Sequence, residues 1–282
     1  MMIQKSSSKN NSILYLVPTP IGNLLDMTYR AVEALKDVDY IFAEDTRVTK
    51  VLLSHFNIET KLKSYHIFNE NEVVDEIIGY LKDGMNIAIV SDAGMPGISD
   101  PGYLIAKRAL EEGLYVISLP GANAALTALV ASGIPSERFY FYGFLKHKST
   151  QKEKELQELV DFKDTLIFYE SPHRIKETLN IMYNVFGNRN VVIGRELTKK
   201  FEEYIRGSLE DVINIDRVLK GEIVIILSGA TMSSTAIVLN DLEVKEHYQY
   251  YIDQGNDNKE AMKMVAKDRG VSKSEIYKKL HD

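Results

Sequence analysis

Residues 87–110 constrain this chain more than any other stretch. Ile87-Ala88-Ile89-Val90 is an unbroken apolar run, as a strand buried on both faces shows. Tyr103 to Leu110 has the apolar spacing and alanine content of a helix. Between them lies Ser91-Asp92-Ala93-Gly94-Met95-Pro96-Gly97-Ile98-Ser99-Asp100-Pro101-Gly102, stiffened by two prolines and bent by three glycines. A plain strand-to-helix connection needs only about 2–6 residues. In open α/β sheets, ligands bind beyond the carboxyl ends of strands. The stretch is therefore expected to hold a ligand, the plainer alternative being a turn in which Asp92 caps its neighbours.

The same strand–loop–helix grammar opens the chain. Ile13 to Val17 reads as a buried strand, Pro18-Thr19-Pro20-Ile21-Gly22-Asn23 as its loop, and Met27 to Lys36 as a helix capped by Thr28. A phosphate loop works by donating backbone N–H groups, and proline has none to give. The loop is better suited as a stiff wall for a neutral or cationic ligand, if it is more than a stiffened turn. Val38 to Ala43 is a second strand, ending in Glu44-Asp45-Thr46-Arg47 on the same rim as Asp92. Here Asp45 or Thr46 can equally cap a helix from Val48 to His55. A helix at Glu72 to Leu81 and a strand at Tyr115 to Leu119 come next, and Pro120-Gly121-Ala122-Asn123-Ala124-Ala125 is small enough for close backbone approach. This alternation predicts a mostly parallel sheet with helices on its faces.

Beyond Gly133-Ile134-Pro135 the texture changes. Strands are expected at Phe139–Phe144, Thr165–Tyr169, Asn190–Gly194 and Ile223–Leu227, with a charged helix from Thr150 to Leu159. Two of these strands end in charged runs, Glu170-Ser171-Pro172-His173-Arg174 and Arg195 to Glu203. From about Gly229 a Ser/Thr-containing linker leads into helices, with helix-turn-helix spacing over Asn258–Lys267 and Ser272–Leu280. The expected domains are thus a flexible tail over 1–12, α/β domains over 13–125 and 126–230, and a helical tail over 240–282. From Asn258 to His281 seven lysines and arginines face three acids, a local excess that either meets nucleic acid or decorates a packed appendage.

Composition narrows the class. The net charge of −6 speaks against indiscriminate nucleic-acid binding. The absence of cysteine removes disulfides, thiolate metal sites and a thiol nucleophile, and no metal is expected. No apolar run approaches membrane-spanning length, and Met1 to Ser12 lacks the apolar core of a signal peptide. A cytoplasmic protein without a membrane partner is the expectation.

Taken together, Leu14-Tyr15-Leu16-Val17-Pro18-Thr19-Pro20-Ile21-Gly22-Asn23, Glu44-Asp45-Thr46-Arg47, Ser91 to Gly102, Tyr169 to Arg174 and Glu196-Leu197-Thr198-Lys199 resemble one family. It is that of the bacterial small-subunit ribosomal RNA (cytidine-2′-O)-methyltransferases I, in the tetrapyrrole-methylase superfamily. The resemblance runs from about Ile13 to Leu227 and takes in the helical tail. Met95 stands where the family usually shows threonine, and Lys146 where it usually shows proline.

The resemblance implies an α/β fold of two domains with a ligand cleft between them and a small helical C-terminal tail. It also implies a homodimer, S-adenosylmethionine as cofactor, and the small ribosomal subunit or its rRNA as partner. By position the cofactor would meet Pro20 and Ile21, then Asp92, Ala93, Gly94 and Met95, then Asn123 and Ala124. Phe168 or Tyr169, with Arg195, Glu196 and Leu197, would close over it. The implied reaction is methyl transfer to a ribose 2′-oxygen, for which Asp45 and His173, then Glu44 and Glu170, are the candidate bases; imidazoles change charge near neutral pH. Arg47, Arg174, Lys199 and Lys200 suit phosphate contacts, and Lys146 and Lys148 extend a basic patch. The alternatives are a methylase of a tetrapyrrole ring carbon and a ribosome-binding protein that only senses the cofactor.

Overall fold

The computed structural model describes residues 4, 12–66, 70–231 and 234–281. Most of the expected flexible tail lies outside these. Gln4 and Ser12 are described, and both are engaged: the Gln4 amide exchanges two hydrogen bonds with the backbone of Val116 (2.9 and 3.0 Å), and the Ser12 hydroxyl donates to the carbonyl of Leu81.

The first half alternates as expected: β1 (Ile13–Val17), α1 (Tyr29–Asp37), β2 (Tyr40–Ala43), α2 (Thr46–His55), β3 (Lys61–Ser64), α3 (Glu70–Lys82), β4 (Ile87–Val90), α4 (Tyr103–Glu111) and β5 (Tyr115–Ser118). The strands form one parallel sheet in the order β3-β2-β4-β1-β5. Strand alternation sorts the core. Leu14, Phe42, Ile87 and Ile89 pack on α3 and α4, whereas Val17, Ile41, Ala43, Ala88 and Val90 pack on α1 and α2. Each of these Leu, Ile, Val and Phe side chains contributes about 1.5–3 kcal/mol of burial. Register then aligns the loops. Val17 and Ala43 both stand level with Val90, so the loops after β1, β2 and β4 leave the sheet side by side.

The chain changes sheets at Pro120–Asn123. The next element, α5 (Ala124–Ser132), buries Ala125, Ala128 and Leu129 against β7, β8 and β10 of the second sheet. The second half comprises β6 (Phe139–Phe144), α6 (Ser149–Gln157), β7 (Thr165–Glu170), α7 (Ile175–Phe186), β8 (Asn190–Arg195), β9 (Glu203–Ser208), α8 (Leu209–Ile213) and β10 (Ile223–Leu227). The sheet runs β6-β7-β10-β8-β9, with only the β6–β7 pair parallel. One face carries Leu166, Phe168, Ile193 and Ile225 toward α6 and α7; the other carries Ile167, Tyr169, Val192 and Val224 toward α5 and the first sheet's loops.

The link to the tail is tight at first: a Cβ on Gly229 would stand 1.9 Å from the carbonyl oxygen of Lys163, so only glycine passes there. Then α9 (Ser234–Asn240), α10 (Val244–Asp253), α11 (Asn258–Asp268) and α12 (Lys273–His281) form a bundle around Leu239, Val244, Tyr251, Ala261, Val265 and Ile276. The expected helix pair is α11 and α12, but it folds as one unit with α9 and α10. Over 234–281 the eight lysines and arginines meet eight acids, so the positive excess belongs to α11 and α12 alone.

Candidate functional site

The loops after β1 and β4 are joined by a rung of sheet. Thr19 N–H donates to the Gly94 carbonyl at 2.9 Å, and Gly94 N–H to that of Thr19 at 3.0 Å. The Thr19 hydroxyl bonds the Ser91 carbonyl and the Ser91 hydroxyl that of Gly94, both at 3.0 Å. With Pro18 and Pro20 carrying no N–H and that of Thr19 already used, this stretch offers no nest of donors to a phosphate. The loop after β2 is tied in through Asp92, whose Oδ1 accepts the N–H of Asp45 at 2.9 Å.

Facing this floor is a wall from the second sheet, and the two enclose a cavity of about 760 Å³. Ile21, Gly94 and Met95 line it on one side, and Tyr169, Leu197 and Val224 on the other. The walls touch at Gly22, where an ideal Cβ would sit 2.4 Å from Cγ of Lys199. Lys199 in turn pairs with Glu196 (3.1 Å) and Glu222 (3.0 Å), and Glu196 Oε1 accepts the N–H of Glu222 at 3.0 Å. Ser99, Glu196 and Thr198, none of them glycine, hold φ of 64°, 49° and 65° around this cleft. Such conformations cost of order 1–3 kcal/mol each and gather where a site over-determines the backbone.

Three carboxylates, Glu44, Asp92 and Asp100, share the floor. Burial, then the charge of Asp92, pushes the Glu44 carboxyl up, while His66 opposes the shift. Burial pushes the Asp100 carboxyl up to about 7, reinforced by the charges of Glu44 and Asp92. Among the described residues no three acidic or imidazole groups converge as metal ligands would. A cavity lined mainly by apolar groups and carboxylates, above a first loop with two prolines and a spent Thr19 N–H, fits a ligand bearing positive charge better than a phosphate.

Of the expected cofactor residues, Ile21, Asp92, Ala93, Gly94, Met95, Asn123, Ala124, Tyr169, Glu196 and Leu197 line this cavity. The Oδ1 of Asn123 caps α5 by accepting the N–H of Leu126. Three expected residues do not line it. Pro20 is buried beside the floor, and Phe168 points to the opposite face of β7 into the α6–α7 core. The Arg195 guanidinium is held by Glu203 (3.0 Å) and the carbonyl of Lys220.

The four expected bases separate as clearly. Glu44 lines the cavity. Asp45 caps α2 and grips Arg47 at 2.6 Å, and those hydrogen bonds hold its carboxyl down at about 2. His173 is exposed and does not line the cavity. Glu170 lines it but is fully engaged, accepting from Arg174 (2.6 Å), the Thr178 hydroxyl (2.5 Å) and its neighbour Ser171 N–H (2.7 Å). Lys152, entirely buried, stands 4.0 Å from Glu170 and 3.0 Å from Glu177.

Among the expected phosphate contacts only Lys199 reaches the cavity; Arg47, Lys146, Lys148 and Lys200 are exposed outside it, and Arg174 is half-buried. Asp100, Phe144, Ser171 and Glu222 also line it, and sequence alone did not mark them as site residues. Asp100 lies within the loop expected to hold a ligand, but only its neighbours in the fold single it out.

Comparison with known proteins bears on the whole chain. The family model for Tetrapyrrole (Corrin/Porphyrin) Methylases matches residues 13–213. A protein of Bacillus subtilis (strain 168) named ribosomal RNA small subunit methyltransferase I is 49% identical over 99% of both chains. A protein of the same name from Halalkalibacterium halodurans is 51% identical over 95% of this chain and 94% of its own. Among solved structures, diphthine synthase superposes with a TM-score of 0.61 at 14% identity, over 79% of this chain and 92% of its own. Uroporphyrin-III-C-methyltransferase from Thermus thermophilus superposes with 0.55 at 17% identity, over 77% of this chain and 94% of its own. These two likenesses speak to the fold.

Proposed function

The chain belongs to the tetrapyrrole (corrin/porphyrin) methylase family and within it to the ribosomal RNA small subunit methyltransferases I, and we propose that it methylates a cytidine ribose 2′-oxygen of small-subunit ribosomal RNA, in the decoding region. The observation that carries this reading is the cluster of carboxylates on a cleft floor whose first loop, pinned by the spent Thr19 N–H between two prolines, makes no phosphate nest. Such a floor is better matched to the positive charges of S-adenosylmethionine than to the phosphates of a dinucleotide. Bound there, the cofactor supplies a methyl group already activated by a positive sulfur.

The chain's own part is to bind and to orient. Ile21, Leu197 and Tyr169 give the cofactor apolar contact, Gly94 lets backbone come close, and Asp92 offers it a negative charge. Orientation of two reactants is worth up to about 7–11 kcal/mol. Lys146, His147 and Lys148 are exposed just after Phe144, which lines the cavity, and they suit a phosphodiester backbone. The homodimer and the cytoplasm complete the reading. Large exposed apolar side chains such as Leu25, Tyr29 and Val51 are of the kind a subunit contact covers, and among the described residues no helix is long and apolar enough to cross a membrane.

The test is methyl transfer from labelled S-adenosylmethionine to purified small ribosomal subunits, with the product nucleoside identified by mass spectrometry. A 2′-O-methylcytidine is expected. Methylation of a base carbon only, or none, overturns the reading. Calorimetry with S-adenosylmethionine and NAD tests the cleft separately, and affinity for NAD alone would contradict it.

A further inference from the structure

We propose that Asp100 is the proton acceptor for the ribose hydroxyl. This rests on reading the cleft as a methyl-transfer site. Five other carboxylates in and around the cleft are already committed, and Glu44, the one besides Asp100 that is not, is tested beside it below. Glu170 is tied to Arg174, Thr178 and Ser171; Glu196 holds Lys199 and the N–H of Glu222; Glu222 pairs with Lys199; Asp45 caps a helix and grips Arg47; Asp92 accepts the N–H of Asp45. Asp100 lines the cavity, and among the described residues burial and the charges of Glu44 and Asp92, with no hydrogen bond, set its environment.

Its position is held from both sides of the cleft. The loop doubles back at Gly102, whose φ of 144° brings it so close to Gly97 that a Cβ would meet the Gly97 nitrogen at 2.9 Å. Gly97 N–H closes that turn on the carbonyl of Pro101 at 3.1 Å. Ser99, in its left-handed conformation, packs its hydroxyl against Gly143 of β6, 3.2 Å from where a Cβ would be. Asp100 therefore sits where the first sheet's loop meets the second sheet.

The groups facing it are Glu44 from the end of β2, Asp92 from its own loop and Tyr169 from β7, with His66 beyond Glu44. Burial first, and then the two negative neighbours, make a carboxylate that takes up a proton readily near neutral pH, as a general base should. In the transfer, the O–H electron pair passes into the new bond to the methyl carbon. The pair of the broken carbon–sulfur bond stays on sulfur, and the proton rests on Asp100 until water removes it.

The test compares the wild type with Asp100→Asn and Glu44→Gln, in methylation of small subunits across pH. For Asp100→Asn a loss of about 10²–10⁴-fold in kcat is expected, with affinity for S-adenosylmethionine held within a few-fold. In the wild type, kcat should fall as pH drops below about 7, where the carboxyl is protonated. That limb should vanish in Asp100→Asn. Glu44→Gln should move it to lower pH, because one of the charges that raises Asp100 is gone. The ligand-free protein gives a second readout: Asp100→Asn should melt higher than wild type at pH 8 and equally at pH 4.

Retained kcat, or an acid limb that survives in Asp100→Asn, overturns the proposal while leaving the proposed function intact. Wild-type protein that methylates no small subunit overturns the function, and the role of Asp100 with it.

Discussion

Lys199 lies across Gly22, its Cγ 2.4 Å from where a β-carbon would stand, so one residue from each half of the molecule defines the width of the cleft. Gly22 also holds a φ of 151°, which side chains rarely adopt. Gly22→Ala should therefore lower stability by roughly 1–3 kcal/mol and weaken cofactor binding. Adding Lys199→Ala should recover the part due to the clash and not the part due to the backbone. Melting temperature and calorimetry on the single and double variants check this; full recovery would mean that the backbone was never strained.

Asp92 does two things that can be separated. Its charge faces the cavity, and its Oδ1 accepts the Asp45 N–H at 2.9 Å. Asp92→Asn keeps an acceptor for the second task and loses only the first. Asp92→Ala should weaken S-adenosylmethionine binding about tenfold or more, equivalent to about 1.4 kcal/mol, and Asp92→Asn nearly as much if charge dominates. Calorimetry decides, and unchanged binding in both variants would assign the contact to backbone.

Glu170 is a structural anion at the edge of a functional cavity. Its removal would leave Arg174 and the buried Lys152 without their shared counter-charge. Breaking a buried pair in this way typically costs about 3–5 kcal/mol, so Glu170→Ala should melt far below the wild type. Any activity that remains should keep the wild-type pH profile. A stable variant with an altered profile would return Glu170 to the candidate bases.

The tail carries its own pH sensitivity. His247 is buried, its Nδ1 accepts from Arg269 Nε (3.1 Å) and its Nε2 faces Asp268 at 3.3 Å, with Tyr251 also on Asp268. Burial holds the imidazole below its ordinary value, an effect that Arg269 reinforces and Asp268 opposes. A folded state that resists protonation binds fewer protons than the unfolded chain. Its full stability is thus present above about 6.5 and is lost as the pH falls toward the folded value. Fluorescence of the tail tyrosines during melting at pH 7.5 and 5.5 should show the bundle loosening first at the lower pH, and His247→Gln should flatten that difference.

Truncation after Thr231 should leave cofactor affinity unchanged, since the residues lining the cavity all precede it. If α11 and α12 touch RNA, the truncated protein should lose about 0.7–0.9 from the log–log salt slope for each phosphate contact removed. An unchanged slope with a lower melting temperature would make the bundle a packing element.

What the sequence disclosed and what it hid divide along physical lines. Local signals read well. Thr28 caps α1 as its spacing predicts, and the apolar runs became β1, β4, β7 and β10. The edge strands β3 and β9 were missed because their sequences, Lys-Leu-Lys-Ser and Glu-Tyr-Ile-Arg-Gly-Ser, carry the charges that edges favour. Phe168 and Tyr169 could not be told apart until α5 chose a face of the sheet. Lys152 reads as one more charge on a polar helix, yet it is wholly buried, because its partners Glu177 and Thr178 lie on another helix. The environment of Asp100 depends on Glu44, which only the register of β2 on β4 brings near.

The rung between Thr19 and Gly94 has a consequence for traffic. A floor pinned at two backbone hydrogen bonds and stiffened by prolines is the firmer bank of the cleft. On the other bank the ties that close the cleft are between side chains. The salt links of Lys199 to Glu196 and Glu222 are the latch on that side. One bank is a quay and the other, tied by side chains, is the bank at which exchange of spent cofactor for fresh is expected.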